Sequence, residues 1–243
     1  MALIKLNFHS QSLARTTDLY VIKPDYLSPD KEVSLLYLLH GYTGDYTNWI
    51  RFSNIEKYVF GKNLIVVMPS AYNSYFTDLG TKEKHFTYVA VELPKFIESI
   101  FNLKVKRENT FVAGLSMGGY GALKIALTYP ERYSKAASFS GALIIQNMIT
   151  RVNLERKKHF EVVFGKTLKK EDDLFYLATE ALNKVDLYIS CGTEDAMFKD
   201  SAQFHQYLKE INFNHFYITK PGNHNWEFWD QEIKQAIEFF INE

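Results

Sequence analysis

Short apolar runs of strand length alternate along the chain with longer stretches whose apolar residues recur at helical spacing. That alternation predicts an α/β fold, with a mostly parallel central sheet covered by helices on both faces. Segments 33–39, 64–68, 110–115, 136–140, 187–191 and 216–219 are rich in β-branched, aromatic or leucine residues and are the expected central strands. Two earlier runs, 3–8 and 18–22, are joined by a short polar stretch and predict an antiparallel hairpin at one edge. Between the strands, 49–59, 87–100, 117–128, 201–211 and 226–241 carry the apolar spacing of amphipathic or buried helices.

The chain has 243 residues and no internal repeat, low-complexity tract or Pro/Gly/Ser-rich linker, so one domain over 1–243 is expected. Two segments interrupt the rhythm: 70–85, dense in tyrosine, and 141–183, long and charged. Both read as insertions beside a site. Lys+Arg and Asp+Glu each number 28, so no global field favours nucleic acid or an anionic membrane. Cys191 is the only cysteine, which excludes an intramolecular disulfide and suits a reducing, cytoplasmic setting. It reads as a small buried hydrophobe, not a nucleophile. The first residues show no secretion signal, and no apolar run approaches the ~20 residues of a membrane-spanning helix, so no membrane insertion is expected.

Gly114-Leu115-Ser116-Met117-Gly118 falls between the strand at 110–115 and the helix at 117–128. The bare pattern is weak, and its placement is what carries weight. A nucleophile elbow needs a sharp strand-to-helix turn that exposes a serine hydroxyl, with glycine on either side to avoid clashes. The helix that begins there aims free N–H groups at the reacting centre, so Ser116 is the candidate nucleophile and the Met117 N–H a candidate oxyanion donor. Upstream, the strand ending in Leu39-His40-Gly41-Tyr42 supplies a loop whose Tyr42 N–H is the expected second donor. His40 itself reads as a packed, hydrogen-bonded structural residue.

After the strand at 187–191 the chain turns through Gly192-Thr193-Glu194-Asp195. A carboxylate just past a strand end can orient an imidazole, and Asp195 suits that role, although spacing leaves Glu194 open beside it. His224 stands on a loop between the last strand and the C-terminal helix, where it can reach the elbow. The order serine, acid, histidine is that of α/β-hydrolases. His9, His85, His159, His205 and His215 lie away from such positions and read as surface or structural residues.

Leu-Leu-His-Gly at 38–41, Gly-Leu-Ser-Met-Gly-Gly-Tyr-Gly at 114–121, Ser-Phe-Ser-Gly at 138–141, Cys-Gly-Thr-Glu-Asp at 191–195 and Gly-Asn-His-Asn-Trp at 222–226 together resemble the esterase D family. That family includes S-formylglutathione hydrolases, tributyrin esterases, feruloyl and acetylxylan esterases and mycolyltransferases; the resemblance runs nearest to bacterial tributyrin esterases. It implies the α/β-hydrolase fold with a small insertion in place of a large lid, a small-molecule ester substrate with a short acyl chain, and no cofactor or metal. It carries the triad onto Ser116, Asp195 and His224 and the oxyanion amides onto Tyr42 and Met117. Tyr72, Tyr75, Phe76, Leu143 and Trp226 flank these loops as candidate pocket residues. A glutathione thioesterase, a sugar-ester deacetylase, an acyltransferase on the same triad and a silent binding module are the alternatives. Self-association as a homo-oligomer is left open, through the edge hairpin or the 141–183 segment.

Overall fold

The computed structural model describes residues 1–241 apart from Pro29 and Thr81. Its main sheet contains β1 (Ala2–Ser10), β2 (Arg15–Lys23), β3 (Ser34–Leu39), β4 (Leu64–Pro69), β5 (Thr110–Leu115), β6 (Lys135–Phe139), β7 (Asp186–Gly192) and β8 (His215–Lys220). These strands lie in the order β1-β2-β4-β3-β5-β6-β7-β8. Only β2 runs against its neighbours; every other adjacent pair is parallel. Residue patterns explain the layout. All six residues of β4 and of β5 are buried, as parallel strands covered on both faces require, whereas β1 alternates half-buried with exposed positions at its open edge.

Two apolar cores flank the sheet. One gathers Tyr37, Val67 and Val112 with α3 (Leu93–Ile100), α4 (Met117–Thr128) and α8 (Phe198–Glu210). The other gathers Leu36, Val66 and Phe111 with α1 (Asn48–Phe52), α2 (Ile55–Val59) and α9 (Trp226–Ile241). The insertion folds as α5 (Ile145–Arg151), α6 (Leu154–Phe164) and α7 (Leu174–Glu180). Among the described residues no helix is long and apolar enough to cross a membrane.

Two expected helices are interrupted. The one at 49–59 breaks at Ser53, which is extended, and Asn54 turns aside to give its N–H to Asp230 at 2.7 Å. The one at 87–100 begins with a π-helical stretch, Tyr88–Glu92, ahead of Pro94, which has no N–H to donate. Glu92 at the end of that stretch takes hydrogen bonds from Ser10 Oγ (2.7 Å) and the Gln11 (2.7 Å) and Ser12 (3.0 Å) N–H groups, tying the helix to the edge hairpin.

Strand succession reverses direction between β3 and β5, which lie side by side at the centre. In such sheets the crevice at the carboxyl ends of the strands beside that reversal is where ligands bind. The loops that leave β3, β5, β7 and β8 carry Tyr42, Ser116, Asp195 and His224.

Candidate active site

Ser116 follows β5 directly and holds φ 53°, ψ −116°, a conformation rare for a residue with a side chain. Its N–H donates to Phe139 O in β6 at 2.9 Å, so the turn is anchored to the sheet. The flanking glycines are a steric requirement. A Cβ on Gly118 would lie 2.5 Å from His40 O and 2.6 Å from Leu39 O, and one on Gly114 would enter the backbone of Gly118. Helix α4 can therefore press against the end of β3 only because Gly118 lacks a side chain, and turn back so sharply on β5 only because Gly114 does.

His40 secures the neighbouring loop. Its ring is 1% exposed, with Nδ1 2.7 Å from Gly41 O and Nε2 accepting the Ala71 N–H at 2.9 Å. Those partners put the proton on Nδ1, and burial lowers the imidazole to about 4, so the ring is neutral. The structural role expected for it is what the structure shows. The Tyr42 N–H, just beyond, and the Met117 N–H, first in α4, have no protein acceptor among the described residues.

The Tyr42 ring is held by the insertion. The Arg156 guanidinium of α6 stacks 3.5 Å from its centroid and donates through Nη2 to Tyr75 Oη at 2.8 Å. His159, one turn further along α6, meets the same ring edge-on and donates through Nε2 to Asn73 O at 2.7 Å. Asn73 in turn accepts the Thr43 N–H at 2.7 Å. His159 is thus structural, as expected, but the clamp it forms with Arg156 was not foreseen. Only the i, i+3 spacing of Arg156 and His159 on one helix hinted at it.

Asp195 sits past β7 with its side chain inaccessible to solvent. Its two oxygens lie 3.0 and 2.9 Å from His224 Nδ1, and Oδ1 also accepts the Met197 N–H at 2.8 Å. Burial pushes this carboxyl up, but the His224 hydrogen bond and charge, the Met197 N–H and the Ser140 side chain outweigh it and hold it below the ordinary carboxylate value. Glu194, the acid that spacing left open, is used elsewhere. It takes the Gly222 N–H on its carboxylate and gives its own N–H to Gly222 O at 3.1 Å, pinning the loop that carries His224.

His224 completes the line: its Nε2 is 2.9 Å from Ser116 Oγ, and its ring stands edge-on to Trp229 with centroids 5.0 Å apart. Hydroxyl, imidazole and carboxylate form one continuous hydrogen-bonded relay across the ends of β5, β7 and β8. With Asp195 holding a proton on Nδ1, Nε2 is free to accept one from Ser116.

The flanking aromatic residues divide. Tyr72 is 48% exposed with the Arg15 guanidinium 4.2 Å from its ring centroid, and Trp226 is half-buried against Trp49, Phe52 and Trp229. Tyr75, Phe76 and Leu143 are buried, so they support the surface from behind. A cavity of about 480 Å³ lined by Arg151, Thr193, Asp195 and Phe198 adjoins the acid. A larger hollow of about 970 Å³, among Glu32, Asn63 and Asn109, lies at the opposite ends of the strands and contains none of the relay. Among the described residues no group of three or more His, Cys, Asp or Glu is placed to hold a metal ion.

The family model Esterase, described as "Putative esterase", matches residues 10–240. An acetyl esterase of Caldicellulosiruptor saccharolyticus is 31% identical, the match covering 98% of each chain. Fluorophosphonate-binding serine hydrolase F of Staphylococcus aureus, solved with substrate bound, superposes with a TM-score of 0.89 at 33% identity, covering 100% of this chain and 99% of that one. The S-formylglutathione hydrolase of S. aureus gives 0.89 at 32% identity over 99% of both chains.

Proposed function

From the premise that the chain belongs to this esterase family and is a hydrolase of ester bonds, we propose that it is a serine carboxylesterase of short-chain acyl esters. In this reading Ser116 is the nucleophile, His224 the base and Asp195 the orienting acid. The observation that carries it is the relay itself, with Ser116 Oγ 2.9 Å from His224 Nε2 and His224 Nδ1 2.9 Å from Asp195.

The reaction proceeds in two halves. Ser116 Oγ attacks the ester carbonyl carbon while Nε2 of His224 takes its proton, and Asp195 stabilises the imidazolium that forms. The carbonyl electron pair moves onto oxygen, where the Tyr42 and Met117 N–H groups receive it; each such donor contributes roughly 3–4 kcal/mol in well-studied hydrolases. Collapse expels the alcohol, protonated by His224, and leaves acyl-Ser116. Water attacks in the second half, its proton passes to His224, and the acid departs as Ser116 regains its hydrogen.

The short-acyl preference draws support from the likeness to an acetyl esterase along nearly the whole chain. Buried Leu143 and the crowding of Trp226 by Trp49 and Phe52 are consistent with a shallow acyl site. The test is hydrolysis of p-nitrophenyl esters from acetate to laurate by the wild type and Ser116→Ala, with S-formylglutathione assayed beside them. Turnover that peaks at short chains in the wild type and falls to trace level in Ser116→Ala is expected, with one fluorophosphonate adduct on Ser116. Activity retained by Ser116→Ala would reject the nucleophile; a large preference for the thioester would move the proposal to a glutathione thioesterase.

A further inference from the structure

Tyr42, whose N–H has no protein acceptor among the described residues, is followed by Thr43 at φ 64°, a left-handed backbone that a β-branched residue rarely adopts. Such a conformation persists only where the surroundings over-determine it. The peptide between the two residues is held at both ends: the Thr43 N–H donates to Asn73 Oδ1 at 2.7 Å, and the Thr43 hydroxyl donates to Tyr42 O at 2.6 Å. Asn73 is held in turn, because its carbonyl accepts from His159 Nε2 of α6 at 2.7 Å.

The Tyr42 ring has a separate restraint in Arg156, whose guanidinium lies 3.5 Å from the ring centroid and donates through Nη2 to Tyr75 Oη at 2.8 Å. This arginine is given over to aromatic partners. It forms no ion pair with a carboxylate among the described residues, and its Nε is buried without a hydrogen-bond partner. The flat face and the fork of the guanidinium are what the site uses, and a lysine has neither. Tyr75 is itself immobilised: it is buried at φ 52° and packs on Phe160 and Phe164 of α6 and on Tyr120 of α4, with centroids 5.0, 5.6 and 6.3 Å away. Helix α4 begins at Met117, the other candidate oxyanion donor. Arg156 thus bridges the two donors, from the Tyr42 ring to Tyr75 and, through Tyr75, to the first turn of α4.

We propose that Arg156 is a positioning residue for the oxyanion: by clamping the Tyr42 ring it keeps the Tyr42 N–H in register with the Met117 N–H as charge develops on the carbonyl oxygen. No bond forms or breaks at Arg156, which stays a guanidinium throughout. A pre-organised donor acts only when held to within about 0.5 Å of its productive place, and a loop carrying left-handed strain at Thr43 relaxes from that place once its ring is released. The insertion at 141–183 is in this way part of the catalytic apparatus, through α6, and not only a cover for the site.

This inference rests on the serine-esterase reading, and the experiment separates the two. Arg156→Ala and Arg156→Lys are assayed on p-nitrophenyl acetate per active site titrated with fluorophosphonate, beside inhibition by 1,1,1-trifluorobutan-2-one, whose adduct on Ser116 places an oxyanion between the two donors. Expected for both variants is a fall in kcat of about tenfold with KM unchanged, a fraction of the 10²–10³ that loss of a whole donor costs, and an equal weakening of the ketone. Tyr75→Phe, which keeps the packed ring and removes only the oxygen that seats the fork, should shift kcat and ketone affinity together by about threefold and decides the matter if Arg156→Ala does not fold. An arginine that merely fastens the insertion would leave kcat and ketone affinity per titrated site at the wild-type level, and one that contacts substrate would raise KM with the ketone unaffected. Either result, or a fall in kcat without weaker ketone binding, overturns the proposal and leaves the esterase standing, provided Ser116→Ala is inactive. If Ser116→Ala keeps its activity, both fall.

Discussion

At the scale of single residues, Asp195 is under two opposed influences, and the balance sets its use. Burial disfavours its charge, while His224, the Met197 N–H and the Ser140 side chain favour it more strongly, so it stays ionised to below the ordinary carboxylate value of 3.8. The charge then fixes the proton on Nδ1 of His224. Asp195→Asn keeps the shape but presents an amide that can leave the ring in the wrong tautomer, so kcat is expected to fall about 10⁴-fold with the fold intact. Steady-state kinetics beside a circular-dichroism melt check this; a loss below tenfold would detach Asp195 from catalysis. Glu194→Gln, by contrast, should lower activity only modestly, by loosening the loop at Gly222. That Ser116, Asp195 and His224 come together in space was legible in the sequence because each follows, two or three residues on, a glycine near the carboxyl end of a strand. Arg156 and His159 were not, because their contacts depend on what the 70–85 segment and the Tyr42 loop bring to them from far along the chain.

At the scale of elements, the strands were read closely because buried parallel strands are continuous apolar runs, and 110–115 and 117–128 have the observed bounds of β5 and α4. Helices depart from the expected runs at the polar Ser53-Asn54 pair, which ends α1, and ahead of Pro94, where a π-helical stretch replaces the regular turn. The insertion's attachment to α4 was also hidden. Lys124, buried in the middle of α4, donates to Asp172 Oδ1 at 2.5 Å and to Thr77 Oγ1 at 2.9 Å, and the Tyr120 hydroxyl donates to Asp172 O at 2.7 Å. One charged pair thus joins the elbow helix to both segments that interrupt the sheet rhythm. Lys124→Met should cost about 3–5 kcal/mol, since it strands the Asp172 carboxylate in the interior. Lys124→Met combined with Asp172→Leu should recover most of that loss. Urea unfolding of the single and double variants decides it: a double variant as unstable as the single would mean that packing, not the buried charge, carries the effect.

At the scale of the whole molecule, formal charge balances at zero, so net self-repulsion does not govern stability near neutrality and individual buried groups do. His40 and His85 are 1% and 2% exposed, and burial lowers each to about 4 from an ordinary 6.5. Between those values the unfolded chain binds protons that the folded chain refuses, so stability rises with pH and is lost as pH falls from about 6.5 toward 4. Each ring contributes a loss on the order of 3 kcal/mol by pH 4. His205, held down by its own burial and by His215 at 2.7 Å, acts in the same direction. Asp195 adds its loss only below 3.8, because its carboxyl is depressed and its stabilisation disappears as that group protonates. The urea midpoint is therefore expected to be flat above pH 7 and to decline steadily from about pH 6.5. His85→Leu should flatten part of that decline, since the His85 Nδ1 has no partner to lose, whereas His40 also holds Gly41 and Ala71 and its replacement would disturb the Tyr42 loop. A midpoint that stays level from pH 7 to pH 4.5 would mean that both rings accept protons within the fold, and the neutral, Nδ1-protonated His40 that anchors the Tyr42 loop would have to be abandoned.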